Sequence, residues 1–405
     1  MRNIFFHRYN YTIIDFMFFI NILLIGSDRL SFSIGIFNIR MVQVSLFITA
    51  LILIVKRRYI LKYLSFYLLF YLSNIISTFF SHDVTASMGY LMWTIYNYIF
   101  VFCLFYNWAS RVDRDKVLNI WKFTFIIQGI YIILQFLFGS FGFEDIFFGI
   151  NFFRGLPRPA IWFYEPSYAA TYFSIYFSLY LYLYFNYKDR ESRNNLLFSF
   201  LIIVCLTSTT GFLSIIISFI ILFLFVSTVK LKKKVIFSVN FSILLVLFLL
   251  LVYKVSPGIY QMLIGRLFSE GLRQASGNRI VEWNTAFSVF KDNWLIGVGP
   301  SAYQKYLGEL FPPTNVTLEI MANLGLLGLI TFLLFICKIL LSGFIKTRNL
   351  GRYMIKERAL IFSFIIFWLT LQANQNYLRL YMWMHLGIMS GIIIKSRKEM
   401  KGIFK

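Results

Sequence analysis

Glu165 stands directly before Pro166 in the stretch WFYEPSYAATYF (162–173), and no further charge follows until Lys188. A carboxylate at such a place can take a proton from a hydroxyl, or grip hydroxyls by accepting their hydrogen bonds. It can equally be a plain helix-start acid, stabilised by the positive end of the helix that Pro166 opens. Its company favours chemistry. Arg154 and Arg158 precede it in NFFRGLPRPAIWFYEPS, while Arg266, Arg273 and Arg279 lie in one later polar segment. Arg379 closes the polar run QANQNYLR (372–379), and Asn315 and Glu319 stand four residues apart, on one helix face. Because arginine pairs bidentately with phosphate, Arg154, Arg158, Arg266, Arg273 and Arg379, with Asn315, describe a rim able to bind a polyanion.

The elements that must position these residues are membrane helices. The chain of 405 residues is 59% hydrophobic and 20% aromatic with only 14% charged residues, which excludes disorder and fits no ordinary soluble domain. Apolar runs long enough, or nearly so, to cross about 30 Å of hydrocarbon fall near 11–26, 41–55, 60–80, 88–108, 117–139, 168–186, 195–209, 211–228, 235–253, 316–341, 358–373 and 379–394. The first is followed by GSDRLSFSIG, which has no cleavage-site pattern, and is read as a retained helix. The expected fold is therefore an all-α integral membrane protein of about twelve transmembrane helices, a single polytopic domain over 1–405. The stretch 195–228 admits one long helix or two, broken at TSTTG (207–211). Two helices keep KLKKK (230–234) with the other basic clusters at 56–58, 346–358 and the tail, as the positive-inside rule asks. Both termini are then cytoplasmic, and Glu165 faces outward. This topology accounts for most of the net charge of +22 without nucleic acid.

Other chemistries find little support. Cys103, Cys205 and Cys337 all sit in apolar runs, so neither a disulfide nor a metal site is expected. Asp-Arg-Asp at 113–115 could hold a metal beside a nucleotide sugar, but its place just before a helix, among basic residues, suits helix-start acids better. No phosphate-binding glycine loop or dinucleotide fingerprint is present, and the chain has three histidines. Asp15, Lys122 and Lys338 are the main charges in the hydrocarbon layer, and the lysines can snorkel. Paired mid-membrane acids, which an ion-driven pump would need, are scarce.

Two outer segments, 140–167 and 254–315, exceed ordinary connections. The second lies between the ninth and tenth spans and is long enough to need structure of its own. Within it RIVEWNTAFSVF sets Ile280, Trp283, Phe287 and Phe290 on one helical face. That pattern suits a helix lying in the membrane interface, or one packed on the transmembrane core.

The stretch GNRIVEWNTAFSVFKDNWLIGVGPSAYQKY…PPTNVTLEIMANLGLLGLITFLL (277–334) resembles the signature region of the O-antigen polymerase and ligase superfamily. RPAIWFYEPSYAA (158–170) is similar to an Arg-x-x-Gly-x-x-x-Glu-Pro-Ser element of the polymerase branch, with Ile161 where glycine is usual. LTSTTGFL (206–213) resembles that branch's STTG break, and Thr210 stands where ligases more often have arginine. Thr314 stands where the family has a histidine before its Asn, so if that histidine activates the acceptor hydroxyl, this chain does without it or uses another base.

The resemblance implies a GT-C-like membrane glycosyltransferase of the bacterial inner membrane, with a periplasmic active site and short interfacial helices in the large loop. It implies no cofactor and no metal. The partners it implies are an undecaprenyl-pyrophosphate-linked oligosaccharide donor and acceptor and membrane lipid, and it admits a chain-length regulator. Glu165, Glu319 and Arg279 are the expected catalytic residues. The favoured activity is surface-polysaccharide polymerisation. A ligase moving the glycan to lipid A-core, a lipid-linked oligosaccharide flippase and a non-catalytic scaffold are the alternatives. The few polar groups in mid-span speak against the flippase.

Overall fold

The computed structural model describes residues 10–34, 37–143, 146, 149–153, 156–225, 279–308, 313–348, 351–374 and 377–403, with scattered positions between 235 and 254. The ninth expected span, at 235–253, lies essentially outside the described residues. The other eleven each coincide with helix. In chain order these are α1 (Ile13–Leu23), α2 (Met41–Val55), α3 (Leu64–Phe79), α4 (Val84–Tyr96), a π-helical segment (Asn97–Cys103) running into α5 (Leu104–Ala109), and α6 (Arg114–Ser140). Then follow α7 (Pro166–Tyr187), α8 (Arg190–Cys205), α9 (Thr209–Phe225), α10 (Arg279–Asp292), α11 (Tyr303–Leu307), α12 (Val316–Arg348), α13 (Ile355–Thr370) and α14 (Leu380–Ile403). Among the described residues, Val84–Ala109, Arg114–Ser140 and Val316–Thr347 are long and apolar enough to cross a membrane.

Two small antiparallel hairpins complete the fold. β1 (Ser31–Ile34) pairs with β2 (Phe37–Arg40), setting Ser31 opposite Arg40. β3 (Ile150–Phe153) pairs with β4 (Leu156–Pro159), setting Asn151 opposite Arg158.

Local chemistry starts and stops the helices as the sequence suggests. Thr12 and Asp15 form a reciprocal capping box on α1. Asp113 caps α6 by accepting from the N–H groups of Asp115 and Lys116, which makes the Asp-Arg-Asp motif a helix start. α8 and α9 are separate helices, because Thr207 in TSTTG takes a left-handed φ of 45° that no α-helix tolerates.

α7 is the pillar of the bundle. Every residue from Tyr168 to Leu183 is buried, as expected of a helix apolar all round, and α7 packs against α8, α9 and α13. α14 lies close against α5 through Gly387 and Gly391. A side chain at Gly387 would meet the carbonyl oxygen of Phe102 at 2.5 Å, and one at Gly391 that of Tyr106 at 2.8 Å. This is the small-residue spacing that lets membrane helices approach closely.

The buried charges are paired. Asp15 accepts from Lys116 Nζ at 2.6 Å and from the Trp108 indole at 3.1 Å. Lys122 bonds Glu191 at 2.6 Å. Cys103 and Cys205 are buried and Cys337 is exposed, all three as free thiols.

The tenth expected span departs from the continuous helix foreseen. α12 is broken at Gly325, whose φ of 64° and ψ of −164° are open to glycine alone. The polar backbone freed there is satisfied by the loop after α10: Leu326 and Leu327 donate to the carbonyls of Trp294 and Leu295, while Val298 and Gly299 donate to those of Ala322 and Asn323. Added side chains at Gly297 or Gly325 would collide with the facing backbone. The part of α12 beyond Gly325 is by itself about 33 Å long and sufficient to span. Residues 316–324 are therefore not needed to span, and they carry Glu319 one turn beyond Asn315.

Gly387→Leu should force α14 away from α5, at a cost of about 1–3 kcal/mol or more. The expected result is a lower thermal unfolding midpoint in detergent, with Ser390→Ala, on the same helix, close to wild type.

Candidate active site at the outer end of the bundle

The alternation of helices brings the starts of α2, α7, α9, α12 and α14 to one end of the bundle. The residues singled out in the sequence meet there. Glu165 is the N-cap residue of α7, exposed, with the Ser167 hydroxyl donating to its carboxylate at 3.0 Å. Its own carbonyl accepts from the N–H of Tyr168, whose ring lies 3.7 Å below the Arg379 guanidinium. Arg158 is half-buried on β4, opposite Asn151. Arg29 Nη2 donates to Asn151 Oδ1 at 2.8 Å and to the carbonyl of Tyr164 at 2.9 Å, joining this hairpin to the residue before Glu165.

Ile161 occupies the glycine position of the resembled element and holds a φ of 52° while almost fully buried. A left-handed β-branched residue costs roughly 1–2 kcal/mol, so the usual glycine there has a conformational reason. The turn is held from two sides. Gln135 Oε1 accepts from the Ile161 N–H at 3.0 Å, and Gly149 leaves room for the Ile161 carbonyl, which a side chain would occupy.

The other half of the site is built on α12. Asn315 caps it by accepting from the N–H groups of Thr317 and Leu318, each at 3.0 Å, and Glu319 lies one turn further, its N–H bonded to the Asn315 carbonyl. Glu319 is 1% exposed and accepts from the Tyr90 hydroxyl at 3.1 Å. The connection between α13 and α14 ties both halves together. Asn315 Nδ2 donates to the Gln372 carbonyl, and Thr317 to the Gln372 side chain, on one side. On the other, Asn374 Nδ2 donates to the Ser167 carbonyl and to Thr171 Oγ1 on the first turns of α7.

α10 joins the same end. Thr314 donates to Glu282 Oε2 at 2.8 Å, and the Trp283 indole donates to the Thr314 carbonyl at 3.3 Å, with Arg279 on the turn before. The buried face of α10 is Ala286 and Val289, packed with Ala302, Tyr303 and Ala322, while Ile280 and Phe287 stay exposed. α10 thus packs with Ala286 and Val289, while Phe287 faces away and Trp283 and Phe290 are half-buried. Arg154, Arg266 and Arg273 lie outside the described residues.

Sequence reasoning missed the group that fixes Arg379. Asp28, 3% exposed, takes Arg379 Nη1 at 2.9 Å on one carboxylate oxygen and Arg40 Nη1 at 3.0 Å on the other. Arg379 is itself 6% exposed, so it is a held charge and not a free arm. Two guanidiniums on one carboxylate leave a net positive charge locked beside the start of α7, where the helix dipole has the same sign. Nearby, Thr210, at the start of α9, is fully buried, and its hydroxyl has no partner among the described residues. Gly211 touches Ala170 of α7. The site is therefore electropositive, with one exposed carboxylate, Glu165, at its lip.

Residues 195–333 match the family model described as O-antigen ligase, a match consistent with the O-antigen polymerase and ligase superfamily. A comparison with curated proteins finds no significant relative. The matched region runs from α8 to the middle of α12, and so takes in the STTG break, α10 and both Asn315 and Glu319.

Asp28→Ala should leave the buried Arg379 and the half-buried Arg40 without the carboxylate they share. Breaking a buried pair in this way costs on the order of 3–5 kcal/mol, and the expected outcome is a marked fall in the thermal midpoint in detergent. An unchanged midpoint would mean that Asp28 does not hold Arg379.

Proposed function

We propose that this chain is a surface-polysaccharide polymerase, transferring a growing glycan from undecaprenyl pyrophosphate onto the next lipid-linked repeat unit at the periplasmic face of the inner membrane. The superfamily match supports a membrane enzyme of glycosyltransferase or ligase type that acts on lipid-linked polysaccharide. The observation that carries the finer reading is the convergence at one membrane end of Glu165, Arg158, Asn315, Glu319 and the Asp28-held Arg379.

The chemistry asks for little else. The bond between the donor's anomeric carbon and the pyrophosphate oxygen breaks, and the pyrophosphate leaves with the electron pair. An acceptor hydroxyl forms the new bond and gives up its proton. Fixed guanidiniums stabilise the departing charge without having to reorganise, and two long substrates held at one face supply proximity. Glu165, exposed and one turn before Tyr168, on whose ring Arg379 lies, would receive the proton or hold the acceptor. Glu319 is buried against Tyr90 and reads better as a support of the pocket wall. Glu282, bonded to Thr314 where the family histidine would stand, is a second carboxylate at the same end.

A ligase is the second reading, favoured by the description of the matching family. Against it stand the Glu-Pro-Ser element at Glu165 and Thr210 in place of arginine. A gel of surface lipopolysaccharide from a strain lacking only this gene separates the two in a Gram-negative host. Core bearing one repeat unit supports the polymerase, bare core with polymer accumulating on undecaprenyl pyrophosphate supports the ligase, and an unchanged ladder removes both. Complementation with Glu165→Gln should restore the protein to the membrane but not chain growth. A normal ladder from that variant would dismiss Glu165 from the chemistry.

A further inference from the structure

At the end of the bundle away from Glu165, a cavity of about 630 Å³ opens between α6, α7, α8 and the start of α13. That volume lies within the range of small-ligand sites. None of the outer-site residues lines it. Along α7 it reaches from Tyr187 to Tyr176, a depth of about 16 Å.

The wall has two chemistries. Trp121, Tyr176, Leu179, Tyr180 and Leu183 line the deep part, and the mouth carries Arg114, Lys122 and Lys356 beside Asp115, Asp189 and Glu191. The charges of the mouth are interleaved. Lys122 bonds Glu191 at 2.6 Å, Lys356 bonds Asp115 at 2.8 Å, and Arg114 bonds Asp115 and the buried Glu357. Asp189 caps α8. A rim of equal positive and negative charge has no net field with which to gather a polyanion or a polycation. It suits a head group that carries both signs.

One of these pairs can open at little cost. The Glu191 side chain is 67% exposed and that of Lys122 is 15% exposed, and an ion pair with one partner in water is weakened by solvent screening. A phosphate inserted there meets Lys122, and an ammonium meets Glu191 and Asp189. The carboxylates only accept hydrogen bonds, and a primary ammonium has three to donate, whereas a quaternary one has none.

We infer that this cavity binds a zwitterionic phospholipid with a primary-ammonium head, phosphate on Lys122, ammonium between Glu191 and Asp189, and the first carbons of its chains along Leu179, Leu183 and Trp121. The orientation proposed above makes this a lipid of the cytoplasmic leaflet; the site itself does not depend on the outer chemistry.

The test is native mass spectrometry of the full chain, purified, stripped of lipid and returned to detergent micelles holding phosphatidylethanolamine, phosphatidylcholine or phosphatidylglycerol. The wild type should retain phosphatidylethanolamine about tenfold more tightly than the other two. Glu191→Gln, an exposed change that leaves the fold alone, should erase that preference and raise retention of phosphatidylglycerol. Leu183→Trp, which fills the deep part, should lose lipid of every kind. Equal retention of the three lipids by the wild type overturns the inference, and so does a wild-type preference in Glu191→Gln. Because the readout uses no glycan substrate, its failure leaves the proposed polymerase untouched.

Discussion

Asp28 sits between two guanidiniums in a setting where an unmatched charge would be intolerable, and the outer end of the bundle is arranged around it. Arg40 opens α2 and Arg379 stands just before α14, so one carboxylate fixes the starts of two helices far apart in sequence. Tyr168, stacked on Arg379, brings the start of α7 into the same assembly. A buried pair is a poor source of net stability, because desolvation takes back most of the Coulombic gain. What it does supply is geometry. Arg379 is held by Asp28 and stacked on Tyr168, so its positive charge stays fixed at this end of the bundle, and in the proposed reaction an arriving pyrophosphate would find it already ordered.

The same demand for internal satisfaction explains the irregular backbone. A break in a membrane helix exposes N–H and C=O groups that lipid cannot serve, and it survives only where other protein serves them. At Gly325 the loop 294–299 does so, strand-like, through four backbone hydrogen bonds. Gly297 and Gly325 are thus one device: each takes a left-handed φ and each lets the facing backbone come close. The break then separates the two tasks of α12. Its longer part is long enough to cross the hydrocarbon, and its shorter part carries Glu319 one turn beyond Asn315.

Much of this was legible in the sequence where the cause is local. Pro166 after Glu165, the capping acid at 113 and the threonine-rich break at 207–211 all act over a few residues, and the helices begin and end where those signals lie. The outer residues Glu165, Asn315 and Arg379 were recognised as neighbours because helix alternation alone puts them at one end. Asp28 was not, since its partner Arg379 is 351 positions away and Arg40 is brought to it only by the β1–β2 hairpin. The face on which α10 packs was left open, between a stripe turned to the membrane interface and one packed on the bundle. Periodicity marks the larger apolar stripe, but the helix packs with Ala286 and Val289. The inner cavity has no sequence signature at all, because it is the space left where four helix ends fail to meet.

α7 connects these features. A helix buried from Tyr168 to Leu183 cannot shift without disturbing α8, α9 and α13, so the one carboxylate at its exposed tip is held by the whole core and not by its own loop. Placing a reactive group on a rigid element is what keeps it within the fractions of an ångström that oriented transfer needs. In the polymerase proposed above, the mobility would then lie in the substrates, long lipid-anchored chains passing a fixed acid. That division would suit such an enzyme, since its product must slide on while the site that extends it stays still.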